Sequence, residues 1–308
     1  MTDDITLKRA AGQVRAARES AAGLHVETFF DAATFTACHV AQDPATRRAA
    51  IIDGVLDYDA DSGRMATRSA DAVVAYVERE KLLVDWLLET HAHADHLSAA
   101  PHLQQKLGGK VAIGREIVSV QQVFGDIFNF GSDFACDGSQ FDALFGDGDG
   151  FAVGDVPATV LHVPGHAPAD VAFVIGDAAF VGDTLFMPDY GTARADFPGG
   201  DARQLYRSIR RLLSLPEETR LFRCHDYLGP GRESYAWETT VGAQKAQNVH
   251  MHDGIGEEEF VAMRARRDAV LALPHLIIPS VQVNVRGGRL PAPESNGRRY
   301  LKVPLDAL

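Results

Sequence analysis

The chain has 308 residues, 46% of them hydrophobic and 23% charged, which is ordinary globular composition with enough apolar mass for one large core or two modest ones. A formal net charge of −12 excludes a general nucleic-acid binder, because neutralising phosphates takes clustered Lys and Arg. No apolar run approaches the roughly 18 residues of a membrane span, and Met1 to Ser20 lacks the apolar core of a secretory signal. That stretch reads as a loosely held or helical extension, 1–20, on a soluble cytoplasmic chain with no membrane or nucleic-acid partner.

Strands are expected at Leu24–Phe30, Phe35–Ala41 and Arg48–Ile52, separated by Asp, Pro and Thr turn signals. Ser69 to Glu80 has a helical apolar face behind a capping residue. Leu83–Leu88 is a short buried strand that runs into Thr90-His91-Ala92-His93-Ala94-Asp95-His96, and Leu97 to Leu107 reads as a helix. Val111–Ile113 and a helix from Glu116 to Phe124 follow. The Gly- and Asp-rich stretch from Phe128 to Gly154 is loops and short strands, in which Asp147-Gly148-Asp149-Gly150 is a turn without the full ligand series of a calcium loop. Thr159–Val163, Val171–Ile175 and Ala178–Val181 are strands, Asp201 to Leu213 a helix, and Arg220–Phe222 a strand. Two more helical patterns follow Glu238. Strands followed by helices, twice over, suit a four-layer α/β/β/α sandwich spanning 21–253, with a C-terminal helix and extended tail, 254–308, packed on it.

Ligand chemistry concentrates at strand ends. His91, His93, Asp95 and His96 lie between a strand and a helix, with His96 opening the helix, where loops of α/β folds build sites. His166, Asp183 and His225 each stand alone directly beyond a strand, and Gly165 and Gly182 precede two of them, letting the backbone pass close to an ion. Imidazole and carboxylate are the ligands of borderline divalent metals. His25, His39, His102, His250, His252 and His275 read as structural or solvated residues, and His162 as a strand histidine. Cys38, Cys136 and Cys224, odd in number and widely spaced, fit reduced thiols in a cytosol.

Thr90–His96, Pro164-Gly165-His166, Gly182-Asp183 and Cys224-His225-Asp226 together resemble, in order and spacing, the motif set of the metallo-β-lactamase superfamily. Phe180–Leu185, Arg194-Ala195-Asp196-Phe197, Leu205–Ile209 and Cys224–Tyr227 are most similar to the persulfide dioxygenases and the bacterial β-lactamase-hydrolase-like branch. That resemblance implies one Fe(II) on a facial triad of His91, His166 and Asp183, with glutathione persulfide or a related thiol persulfide and O2 giving thiol and sulfite. His93, Asp95, His96 and His225 would orient water and ligands around it. Arg194, Asp196 and Tyr227 would contact substrate. Arg194 could clamp a carboxylate, with Asp196 orienting it or receiving an amine; a purely structural Arg194–Asp196 pair is the other option. The turn Ala167–Asp170, the loop around Met187–Tyr190 and the tail after about Asp253 depart from the compact dioxygenase pattern.

The same seven ligands also allow one or two Zn2+ in a hydrolase of a glutathione thioester or lactone. His91, His93 and His166 would hold one ion, Asp95, His96 and His225 the other, with Asp183 bridging and a metal-bound hydroxide attacking the carbonyl. Monomer and homodimer both remain open.

Overall fold

The computed structural model describes residues 4–20, 23–132 and 134–307. Helix α1 (Ile5–Glu19) opens the chain and is capped by Asp4, whose side chain accepts from the Leu7 amide at 2.8 Å. Strands β1 (His25–Asp31), β2 (Thr36–Gln42) and β3 (Arg48–Ile52) form an antiparallel meander. After it come β4 (Val55–Asp59), β5 (Arg64–Ala66), α2 (Arg68–Arg79), β6 (Leu83–Leu88), β7 (Leu97–Ser98), α3 (Ala100–Leu107), β8 (Lys110–Gly114), α4 (Ile117–Ile127) and β9 (Ala143–Phe145). The first sheet has the order β1-β2-β3-β6-β8-β9.

The second half contributes β10 (Gly150–Val153), β11 (Val156–His162), β12 (Val171–Ile175), β13 (Ala178–Phe180), α5 (Ala202–Leu212), β14 (Arg220–Phe222) and β15 (Glu238–Thr240), with the six strands in sequence order across a second sheet. Three helices close the chain: α6 (Val241–Gln247), α7 (Glu257–Asp268) and α8 (Ile277–Asn284).

Period-two alternation builds the layers. Ile51 and Leu87 point outward to a core shared with Val73, Leu103, Val120 and Val281 of the covering helices. Their neighbours Ile52 and Leu88 point inward, between the sheets, to meet Phe173, Phe180 and Phe222. In the second sheet Leu161, Val174 and Leu221 face Val14, Leu205, Ile209 and Phe260 of α1, α5 and α7. Strands buried on both faces read as continuous apolar runs, and the result is the four-layer αββα sandwich.

Two local elements differ from expectation. Leu97 and Ser98 do not open a helix; they pair antiparallel with Val55 and Leu56, and the helix begins at Ala100 with Pro101 in its first turn, where a missing amide costs nothing. The β4–β5 hairpin lacked an apolar alternation strong enough to be read. Of the two readings of the N-terminal extension the helical one holds, and the helix is packed down, with Ala10 and Val14 fully buried and Gln13 Nε2 donating to the Val174 carbonyl at 3.0 Å. Asp147, in the expected turn, is paired with Arg211, which donates to both its oxygens at 2.6 and 2.9 Å.

Candidate metal centre

Three strand ends of the two sheets converge. β6 ends before Thr90, which is locked by Asp53: the carboxylate accepts from the Thr90 amide at 2.8 Å and from its hydroxyl at 2.9 Å. The Thr90 hydroxyl in turn lies 3.1 Å from His91 Nδ1, leaving Nε2 to face inward. His166 follows β11, and its Nδ1 is 2.9 Å from the Arg194 carbonyl oxygen. A carbonyl can only accept, so Nδ1 carries the proton and Nε2 presents its lone pair. Asp183 follows β13.

Asp183 Oδ2 is 3.8 Å from His91 Nε2 and 3.7 Å from His166 Nε2. Ligands about 2.1 Å from one ion sit roughly 3.0–3.5 Å apart, so a small contraction would close these three on a metal. The donor set fits in a second respect. His91 Nε2 and Asp183 Oδ1 are buried with no hydrogen-bond partner among the described residues, an arrangement that is costly unless something else binds them. Burial, with the charges of His93 and His166, holds His91 well below the usual histidine range, and burial above all raises Asp183.

The two glycines act differently from expectation. Gly165, at φ +140°, leaves no room for a side chain: a Cβ would lie 2.2 Å from the Leu205 amide nitrogen of α5. At Gly182, φ +54°, a Cβ would lie 2.6 Å from the Thr90 hydroxyl. Both permit close protein packing that sets His166 and Asp183 in place, rather than approach of backbone to an ion.

The remaining four ligand-type residues fall into two groups. His225 Nε2 is 2.9 Å from Asp95 Oδ2 and 3.5 Å from Asp183 Oδ1. Burial works against a charge there, yet Asp183 and Asp95 raise His225 to about 9; burial also opposes Asp95, which His225 and His96 nonetheless hold well below the carboxylate range. His96 Nδ1 lies 3.2 Å from Asp95 Oδ1, and burial holds His96 down at about 4. His93 is turned away, its Nε2 at 3.0 Å from Asp53 Oδ1 and 3.2 Å from Glu89 Oε2. Although burial penalises its charge, these carboxylates raise His93 well above the usual range. Burial raises Glu89, whereas His93 overcomes burial to lower Asp53.

Of the expected substrate contacts, Tyr227 lines the cavity above the triad, stacks on His225 and points its hydroxyl at Asp95 Oδ2, 3.4 Å away. Arg194 is otherwise engaged. Its fork donates to Asp196 at 2.6 and 2.7 Å, a third nitrogen donates to the Ala272 carbonyl at 2.6 Å, and the guanidinium lies over Phe197. Asp196 therefore orients Arg194, and the fork expected for a substrate carboxylate is already filled.

Asp53, Glu89 and Asn284 were missed. Asp53 and Glu89 carry the same signal that marks Asp183, an acidic residue just beyond an apolar strand, so they were findable. Asn284 Nδ2 donates to the carbonyls of His93 and His96, both at 2.8 Å, and its Oδ1 accepts from the Ser98 amide at 2.8 Å. Nothing local marks it. His39 is the structural strand histidine expected, buried with Nε2 2.9 Å from the Arg223 carbonyl, whereas His275 lines the cavity.

Residues 34–225 match the family model of the metallo-β-lactamase superfamily, and this stretch contains all seven ligand-type residues. The chain belongs to that superfamily. It is 56% identical over 293 residues to a probable metallo-hydrolase of Burkholderia pseudomallei, covering 92% of this chain and 99% of the relative. It is 44% identical to glyoxylase B2 of Dictyostelium discoideum (92% and 97%) and 29% identical to the mitochondrial persulfide dioxygenase ETHE1 of mouse (91% and 95%). Among solved structures, ETHE1 from Myxococcus xanthus superposes with a TM-score of 0.68 at 28% identity, covering 86% of this chain and all of that one. Members of this superfamily are metal-dependent enzymes, and no helix among the described residues is long and apolar enough to cross a membrane.

Proposed function

We propose that this metalloenzyme is a mononuclear iron dioxygenase that oxidises glutathione persulfide, or a related thiol persulfide, to sulfite and thiol. One observation carries the reading: the donor atoms of His91, His166 and Asp183, two imidazoles and one carboxylate, converge within 4.8 Å of one another, the set that a facial triad requires. Similarity to the mitochondrial persulfide dioxygenase ETHE1 of mouse and to ETHE1 of Myxococcus xanthus supports it.

Fe(II) on two His and one carboxylate would supply open positions for O2 and sulfur. The chain's own residues do the rest. Thr90 and the Arg194 carbonyl fix the tautomers and aim of His91 and His166. His225 Nε2 sits between Asp95 Oδ2 at 2.9 Å and Asp183 Oδ1 at 3.5 Å, where it orients both carboxylates. Phe186, Tyr190 and Tyr227 wall the cavity and limit water. The described cysteines are unpaired thiols, which supports a reducing compartment such as the cytoplasm.

A two-zinc thioester hydrolase is the second reading, favoured by the gathering of Asp95, Asp183 and His225 beside the triad and by the 56% and 44% identity to a probable metallo-hydrolase and a glyoxylase. Metal analysis together with oxygen uptake separates them. About one iron per chain and sulfite formed in step with O2 consumed support the dioxygenase; two zincs and thioester cleavage without O2 uptake replace it with the hydrolase.

A further inference from the structure

The cavity above Asp183, about 520 Å3, is of a size that holds a whole small ligand rather than a sulfur atom alone. Its ends differ chemically. Asp95, His166 and Asp183 form the floor, whereas α7 and the segment after it form the outer wall with Arg264, Arg267 and His275. Three guanidinium groups thus border one cavity, and two are spent. Arg194 is held by Asp196 and the Ala272 carbonyl. Arg264, buried, is paired with Asp268 and donates to the Thr192 carbonyl at 3.3 Å. Arg267, one turn further along α7, is exposed and has no carboxylate or hydrogen-bond partner among the described residues.

An unpaired guanidinium at the rim of a cavity walled in part by aromatic rings is an anchor for an anion, because its planar fork matches a carboxylate. The geometry points to Arg267 as the residue that binds a carboxylate of the sulfur carrier at the cavity mouth, while the carrier's sulfur reaches toward Asp183. The identity of the sulfur chemistry rests on the dioxygenase reading; the charge of the carrier rests on Arg267 alone. Tyr190 supplies a hydroxyl on the same wall. Burial pushes that hydroxyl up and the nearby Arg267 and Arg264 push it back, which puts it close to both charges. The role that the sequence suggests for Arg194 therefore passes to a residue of the C-terminal segment, outside the stretch that carries the superfamily motifs.

The test uses the metal-loaded protein and glutathione itself, the stable thiol, titrated by calorimetry into wild type, Arg267→Glu and Arg267→Lys. Losing a charge-assisted pair should weaken glutathione by roughly tenfold or more in the Glu variant and by less in the Lys variant. Glutathione diethyl ester, with its carboxylates masked, should bind all three alike. In oxygen uptake with glutathione persulfide, KM should rise for Arg267→Glu with kcat little changed, since the anchor grips ground and transition states equally. Equal glutathione affinity in wild type and Arg267→Glu overturns the assignment, as does tighter binding of coenzyme A, whose anions are phosphates. Glutathione binding that depends on Arg267 without any O2 uptake supports the anchor and removes the dioxygenase reading; O2 uptake with KM indifferent to Arg267 does the reverse.

Discussion

Asn284 donates a hydrogen bond to the backbone carbonyl of His96 across 188 residues of chain. Through that bond, and its partner to His93, helix α8 fixes the shape of the loop that aims His91. The C-terminal segment thus reaches under the metal centre with Asn284 and over its mouth with Arg267.

Asn284→Ala should strip partners from two carbonyls and one amide, all buried. Each orphaned group costs about 1–3 kcal/mol, partly relieved by relaxation, so a loss of roughly 2–4 kcal/mol is expected. Asn284→Asp keeps the acceptor for Ser98 but loses both donors. Denaturant unfolding together with bound-iron content checks this; unchanged stability in both variants contradicts the role.

His166→Ala and Asp183→Asn should each abolish iron binding and sulfite production. His93→Ala should instead retain about one iron per chain, while losing stability because Asp53 and Glu89 would be left without their cation. Removing one partner of a buried ion pair costs about 3–5 kcal/mol. Metal content per folded chain distinguishes the three, and loss of all metal from His93→Ala would favour the two-metal arrangement.

Arg194→Ala should lower iron occupancy and thermal stability rather than only raise KM. Its fork ties Asp196 and its third donor ties Ala272, and together these fix the backbone whose carbonyl bonds His166 Nδ1. A variant with full iron and an altered KM alone would restore the substrate-clamp role.

His250 is buried behind the cavity, with Nδ1 3.0 Å from the Thr192 amide that donates to it. Burial, aided by the charges of Arg264 and Arg267, holds it at about 4. The unfolded chain takes up a proton on this ring below about 6.5 while the folded chain does not. Its contribution is therefore fully present above pH 6.5 and lost as pH falls toward 4, up to about 3 kcal/mol. Comparing metal-free wild type with His250→Gln across that window should show a shallower acid loss in the variant.

Gly165→Ala would drive a methyl group into the backbone of Leu205, which cannot move without shifting α5. We expect a destabilisation of more than about 3 kcal/mol, beyond the ordinary cost of overpacking, and loss of iron in whatever protein stays soluble. Soluble expression and metal content are the readouts.

The sequence by itself determined the sandwich and the seven ligand-type residues. Ile51-Ile52 and Leu87-Leu88 each put one side chain on each face of a strand, and His91, His166, Asp183 and His225 announce themselves by type and by place at strand ends. These are local signals, readable without knowing what lies across the fold. Only the tertiary structure decided which ligand-type residues are free to bind. His93 looks like His91 in the sequence, and only the fold sets its Nε2 on Asp53, 40 residues earlier, leaving Nδ1 as the atom it could offer a metal. Arg194 is as good a clamp as Arg267 until Asp196 fills its fork, while Arg267 stays unpaired. A hydrogen bond or ion pair depends on distances of a few ångströms between segments far apart in the chain, and no periodicity of the sequence encodes those distances.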